Sequence, residues 1–288
     1  MSNYVIYADS ACDISPEVLE KWGIKCAFIT FNFVGENKIY KDNDIPTGEF
    51  YERMKKGDVA KTAALNTENF KACFKECASE GKDVLYIGFS SGLSTTYSQS
   101  VLAARELSEE FPERRFVCVD SLCASAGYGM LLSLAVKKRD EGMSLDELEE
   151  YIDGIKGNIC HWFTVDDLEY LKRGGRISPT VAFVGNLLGI KPVLHMDEHG
   201  KLVNVTKARG RRAAIAALCD KIGELAVNKN EGPVFICHAY CENDAKLLAD
   251  MVKEKYGVAV DMTVNIGTVI GSHSGPGTLA IFFIGKER

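Results

Sequence analysis

Residues 84–120 read VLYIGFSSGLSTTYSQSVLAARELSEEFPERRFVCVD. The two ends, VLYIGF and RFVCVD, are short apolar runs rich in β-branched and aromatic residues, the composition of buried strands. Between them, residues 95–111 carry a helical pattern, entered through serines and threonines whose side chains can satisfy the first free N–H groups of a helix. A strand, a helix and a second strand in immediate succession predict parallel pairing through a crossover helix. The same alternation extends outward. Tyr4–Ala8 reads as a strand ending at Asp9 and Ser10, and Lys25–Val34 as a second. Residues 47–56 place Phe50 and Met54 at helical spacing, a helix is expected at 68–78, and another runs from about Ala124 to Glu141. The expected fold class is α/β, with a doubly wound, largely parallel sheet whose ligands sit at the carboxyl ends of the strands.

The second half is more mixed. Ser144 followed by Glu147 reads as a capping box opening a helix. After Gly154 and Gly157 come a strand at 160–165, a short helix at 166–172 stopped by Gly174-Gly175, and a hairpin of 193–196 and 202–206 turning through Asp197–Lys201. A helix at 212–227, a strand at 233–239, a helix at 243–256, a strand-like stretch at 261–265 and the strand LAIFFI at 279–284 complete it. We place a boundary at these glycines, with residues 1–156 as one α/β domain and 157–288 as a second with a mixed sheet.

The chain has 288 residues, 46% hydrophobic and 26% charged, which excludes disordered, collagenous and coiled-coil chains and allows a sizeable core. A net charge of −6 argues against a nucleic-acid partner, which calls for a basic stripe. No run approaches the roughly 18 apolar residues of a membrane span. The N-terminus has no basic region ahead of an apolar stretch, so no secretory signal is expected. The ten cysteines then read as reduced thiols of a cytoplasmic protein. Cys73 with Cys77, and Cys237 with Cys241, lack the double CxxC of a zinc ribbon. His195 and His199 flank a hairpin tip, and no metal is expected there. No Walker P-loop is present.

Three hydroxyl- and glycine-rich segments stand where strands should end. SSGLSTTY (90–97) holds more hydroxyls than one helix cap needs, and Gly92 allows close backbone approach. Its helix N-terminus suits a carboxylate or phosphate. In KTAALNT (61–67), Asn66 or Thr67 can cap the following helix, whereas Thr62 stands too early for that. GSHSGPGT (271–278) reads as a loop whose His273 can donate to an anion or act as a base. Its GPGTLA matches a dinucleotide fingerprint only formally, because no βαβ unit follows. Lys172, Arg173 and Arg176 around Gly174-Gly175 can neutralise an anion, although a helix C-terminus accounts for the first two. Lys207, Arg209, Arg211 and Arg212 form a basic cluster that is either a solvated face or a dock for an acidic partner. GFSSG (88–92) also matches the nucleophile elbow of α/β-hydrolases. That gives an alternative, a serine hydrolase or esterase with Ser90 as nucleophile, His273 as base and Asp120 as its orienting acid. On the residues alone, a hydrolase and an anion-binding protein stand level, with a phosphorylated metabolite as a third possible occupant.

Taken together, DSACD (9–13), IYKDNDI (39–45), SSGLSTTY (90–97), VDS (119–121), FTVDDLEYLKRGGRI (163–177), IKPVL (190–194) and GSHSGPGT (271–278) resemble the DegV family of bacterial fatty-acid-binding proteins, in order and nearly end to end, over residues 3–286 or so. The resemblance implies a DegV-like fold of two α/β domains with one long-chain fatty acid such as palmitate, stearate or oleate between them. It implies a carboxylate held by Thr62, Ser94, His273 and Arg176, with Arg173 the competing choice for the last. It also implies that the protein is not itself an enzyme and needs no cofactor: it presents the fatty acid to a separate ATP-dependent fatty acid kinase, which makes an acyl phosphate for phospholipid synthesis. Arg209, Arg211 and Arg212 then become candidate kinase-docking residues. The chain departs from the family pattern at Ala63-Ala64-Leu65 and at Thr95, which bears on the shape of the pocket near the carboxylate.

Overall fold

The computed structural model describes residues 3–178, 189–228 and 232–288. In chain order the first half comprises β1 (Tyr4–Asp9), α1 (Pro16–Lys21), β2 (Ile24–Ala27), β3 (Thr30–Phe33), β4 (Tyr40–Lys41), α2 (Thr47–Lys55), β5 (Ala60–Ala63), α3 (Thr67–Ser79), β6 (Asp83–Gly88), α4 (Thr96–Glu110), β7 (Phe116–Asp120), α5 (Ser125–Asp140) and α6 (Leu145–Ile155). The second half comprises β8 (Ile159–Thr164), α7 (Glu169–Arg173), β9 (Ile190–Met196), β10 (Leu202–Arg209), α8 (Arg211–Leu225), β11 (Val234–His238), α9 (Glu242–Tyr256), β12 (Met262–Asn265), α10 (Thr268–Ser274) and β13 (Leu279–Ile284).

The strands form three sheets. One is parallel throughout, in the order β2-β1-β6-β7. A second, mixed sheet runs β10-β9-β8-β13-β11-β12, antiparallel except for its β11–β12 edge. The third is a small antiparallel sheet, β4-β3-β5. The expected α/β class, with a parallel first sheet and a mixed later one, is therefore what the chain adopts. Helix ends follow the expected chemistry. Asn66 and Asn69 form a reciprocal capping box on α3, and Ser144 and Glu147 form another on α6.

Two expectations are corrected. The single strand expected at 25–34 is two strands in two sheets: β2 pairs with β1, whereas β3 pairs with β4 and β5. The break is fixed at Ile29, whose N–H donates to Ser10 Oγ at 3.1 Å and whose carbonyl accepts Asp42 N–H at 2.9 Å, so its backbone groups are satisfied outside either ladder. The loop expected at 271–278 begins as a helix, because α10 already includes Gly271–Ser274.

Helix α5 is apolar around most of its circumference, the signature of a buried helix. It packs against β8, β11 and β13 as well as α6. Its glycines permit this: a Cβ on Gly127 would stand 2.3 Å from His161 Nε2 and 2.6 Å from Phe282. The main core is continuous from the first sheet into the second, and a smaller one lies beneath α8 and α9. Arg288 ties the halves further, donating to the carbonyls of Lys156 at 2.7 Å, Ile159 at 3.1 Å, Asp197 at 3.3 Å and also Leu122. The ten cysteines are all free and all at least partly buried, and burial pushes every thiol up, Cys123 and Cys241 to about 11 and Cys118 and Cys160 to about 12. Among the described residues, no helix is long and apolar enough to cross a membrane.

Candidate ligand-binding site

A cavity of about 670 Å³ lies where the three sheets meet, within the range that encloses a small organic ligand. Most of its wall is apolar. Phe163, Met196, Leu202, Ala280 and Phe282 come from the mixed sheet, and Ile266, Val269 and Ile270 from around α10. Thr62, Ser94, Arg176 and His273 all line it, so the four residues expected to hold a carboxylate are brought to one cavity.

Each is positioned by its local structure. Thr62 sits on β5, held against β3, and its Oγ1 shares a 2.8 Å hydrogen bond with His273 Nε2. His273 is in the last turn of α10, and its ring lies against Gly174, where a Cβ would come within 2.3 Å of Nδ1. Glycine at 174 is therefore required by the imidazole, since its own backbone, at φ −71°, would accept any residue. Burial, with the positive charge of Arg176 adding to it, lowers the His273 pKa to about 4, so the ring is neutral at pH 7. Its Nδ1 is buried without a hydrogen-bond partner.

Ser94 stands just before α4. Its Oγ accepts the Thr96 N–H at 3.2 Å and pairs with Thr96 Oγ1 at 2.9 Å. Arg176 follows Gly174-Gly175 and turns its guanidinium inward. Nε and Nη2 donate to the Leu93 carbonyl at 3.1 and 2.8 Å, and Nη1 donates to the Gly174 carbonyl. A guanidinium has about five N–H groups, so roughly two remain for a guest. Burial is the cause that lowers the Arg176 pKa, and no carboxylate pairs with it among the described residues. Arg173 also lines the cavity but is exposed, stacked over Tyr170 at 5.3 Å, and Lys61 is likewise an exposed lining residue. Of the two arginines that line the cavity, Arg176 is thus the partly buried one and Arg173 the exposed one.

The hydrolase arrangement is not assembled. Ser90 is fully buried, donates to the Gly200 carbonyl at 2.9 Å and accepts the Gly92 N–H. Asp120 accepts the N–H groups of Ser91 and Leu122, and His273 faces Thr62. The GFSSG segment instead docks the β9–β10 hairpin: a Cβ on Gly92 would stand 2.6 Å from the His199 carbonyl oxygen and 2.7 Å from that of Gly200.

The basic cluster divides. Arg211 is partly buried and committed, with Nε on Asp244 at 2.8 Å and Nη1 3.7 Å from Asp166, so it is a structural residue and not a free docking cation. Arg209 and Arg212 are exposed. Among the described residues, no cluster of three or more His, Cys, Asp or Glu suits a metal ion. The residues that the reading by motif passed over are the buried acids Asp9, Asp13 and Asp42. Asp9 accepts from Tyr86 Oη at 2.6 Å and from the Phe89 N–H at 2.9 Å at the mouth of the SSGLS loop, and burial raises its pKa to about 6. Their signal was present in DSACD and IYKDNDI, but only as motifs.

Comparison with known proteins agrees with this architecture. A family model described as "Uncharacterised protein, DegV family" matches residues 3–286. A DegV domain-containing protein of Clostridium perfringens is 39% identical over 291 residues, spanning 100% of this chain and 99% of that one. The crystal structure of a DegV lipid-binding protein from Thermotoga maritima superposes with a TM-score of 0.87 at 30% identity, covering 100% of both chains. A stearic-acid-binding protein from Eubacterium ventriosum gives a TM-score of 0.89 at 26% identity, covering 98% of each. The chain belongs to the DegV family.

Proposed function

We propose that this protein binds one long-chain fatty acid in the central cavity, with the carboxylate at Thr62, Ser94, Arg176 and His273 and the acyl chain along the apolar wall. The observation that carries this reading is Arg176: a partly buried guanidinium with no acidic partner among the described residues, lining a cavity whose wall is mostly apolar. A buried charge is tolerable only when it is paired or fully hydrogen-bonded, and a fatty acid supplies the missing anion together with the chain that fills the remaining space. Each buried CH₂ contributes about 0.8 kcal/mol, so a long acyl chain favours retention even after ordering costs. The lipid- and stearate-binding descriptions of the similar structures support the same ligand class.

The protein itself carries out no chemistry in this reading. It presents the carboxylate to a separate ATP-dependent fatty acid kinase, and the acyl phosphate passes to phospholipid synthesis in the cytoplasm. Lys61 and Arg173, exposed at the cavity wall, suit a carboxylate that becomes a phosphorylated group, and Arg209 and Arg212 remain candidates for the kinase contact. Native mass spectrometry of protein purified without detergent tests the ligand: an adduct of fatty-acid mass is expected, and its loss is expected when Thr62 and Ser94 are both replaced by alanine. A polar adduct, or none after incubation with palmitate, overturns the reading. ATP consumption by the kinase that depends on the loaded protein tests the second step.

A further inference from the structure

The helix that carries His273 is weak by composition. Thr268–Ser274 reads TVIGSHS, with β-branched residues, a central glycine and two serines, and seven residues are too few to be helical unaided. What holds it comes from far away in the chain. Asp13 Oδ1 accepts the Gly267 N–H at 2.9 Å, and Asp42 Oδ1 accepts both the Thr268 N–H at 3.0 Å and the Thr268 hydroxyl at 2.6 Å. A Cβ on Gly267 would stand 2.9 Å from Asp13 Oδ1 and 3.2 Å from Asp42 Oδ1, so both carboxylates converge on one glycine.

Both acids belong to the first half of the chain, and both are buried. Asp13 is itself held in the left-handed region at φ 54°, closing the turn Ser10–Cys12, and its other oxygen accepts the Ser125 hydroxyl. Tyr51 adds a third tie from the first half, donating to the Ile266 carbonyl at 2.8 Å. At the opposite end of the helix, His273 meets Thr62, again a first-half residue, at 2.8 Å. Burying two carboxylates is costly. Here it secures the start of a short helix whose end presents the imidazole.

We propose that Asp13 and Asp42 are positioning residues of the carboxylate site: they clamp the N-terminus of α10 and so fix the His273 imidazole against Thr62. The proposal rests on the fatty-acid reading only where affinity is the readout. The experiment combines a mutant cycle with spectroscopy. Palmitate affinity is measured for the wild type, Asp42→Asn, His273→Ala and the double variant, with Asp13→Asn alongside. Asp42→Asn is expected to weaken binding on the order of tenfold, the worth of one buried hydrogen bond. In the His273→Ala background it is expected to cost less than about twofold more, because its effect passes through that ring.

In ligand-free, ¹⁵N-histidine-labelled protein, the His273 imidazole resonance, assigned by its loss in His273→Ala, is expected to move in Asp42→Asn while the other four histidines of the five hold their shifts. The proposal is overturned by an unmoved His273 resonance, by unchanged affinity, or by the same loss in both backgrounds. Thr268→Val, which removes only the hydroxyl donor to Asp42, is judged by the same outcomes if Asp42→Asn does not fold. Should the wild type bind no palmitate, the fatty-acid reading fails, and the imidazole spectra still decide the clamp.

Discussion

Arg176 and Arg173 lie three positions apart and do different work. Arg176 spends three N–H groups on the carbonyls of Leu93 and Gly174 and keeps the rest for the cavity, whereas Arg173 lies over Tyr170 at the surface. Arg176→Gln is therefore expected to weaken palmitate binding by roughly ten- to a hundredfold, Arg176→Lys less, and Arg173→Ala only about twofold. Displacement of a fluorescent fatty acid checks all three. His273 supplies a pH signature. Its folded pKa of about 4 lies below the ordinary histidine value of 6.5, so the unfolded chain takes up the proton first as pH falls. The ring then costs stability progressively from about pH 6.5 down to 4, by up to roughly 3 kcal/mol, and nothing above that window. Denaturant melts at pH 7 and pH 5 are expected to show this loss in the wild type and less of it in His273→Gln. Little of this was legible in the residues one by one. Thr62, Ser94, Arg176 and His273 have no local spacing in common, and only the joint resemblance of several motifs pointed to their meeting.

At the scale of elements, the sequence was most readable where a segment satisfies its own needs. The capping boxes at Asn66 and Ser144 and the hairpin through Asp197–Lys201 all use partners a few residues away. Replacing Ser144 by Ala is expected to cost about 1 kcal/mol of stability, the usual worth of an N-cap, with no effect on binding. Reading failed where the partner is remote. The apolar run Cys26–Ile29 leads straight into Thr30–Phe33 with no turn residue between, yet Ser10 and Asp42 take the backbone groups of Ile29 and divide one strand into two. Helix α10 was hidden for the same reason, since its caps are Asp13 and Asp42. Gly92 is the opposite kind of case, a residue noted for backbone freedom whose close neighbour proves to be the β9–β10 hairpin tip. Gly92→Ala, forcing a Cβ to within 2.7 Å of two carbonyl oxygens, is expected to destabilise the protein by about 1–3 kcal/mol and to lower palmitate affinity, because the displaced loop leads directly to Ser94. Chemical denaturation and ligand titration measure the two effects separately.

At the scale of the molecule, the site belongs to neither half alone. Thr62 and Ser94 come from before Gly154 and Arg176 and His273 from after it, so a fatty acid bound as proposed would stabilise only the assembled form. Stripping the ligand is expected to lower the melting temperature by several degrees, since saturation at about 100 times Kd is worth roughly 2.7 kcal/mol. Adding palmitate back is expected to restore it, and an unchanged melt after delipidation counts against the shared site.

The thiols offer an independent gauge of the same assembly. Ten sulfurs sit at least partly out of solvent with their protons held tightly, and the thiolate is the form that reacts. An alkylating reagent at neutral pH is therefore expected to reach the partly exposed Cys26, Cys73, Cys118 and Cys241 first and the six buried thiols far more slowly. At those six, colour in a disulfide-exchange assay develops only as fast as the protein opens, so the slow phase of its time course records breathing motions without any label having been introduced.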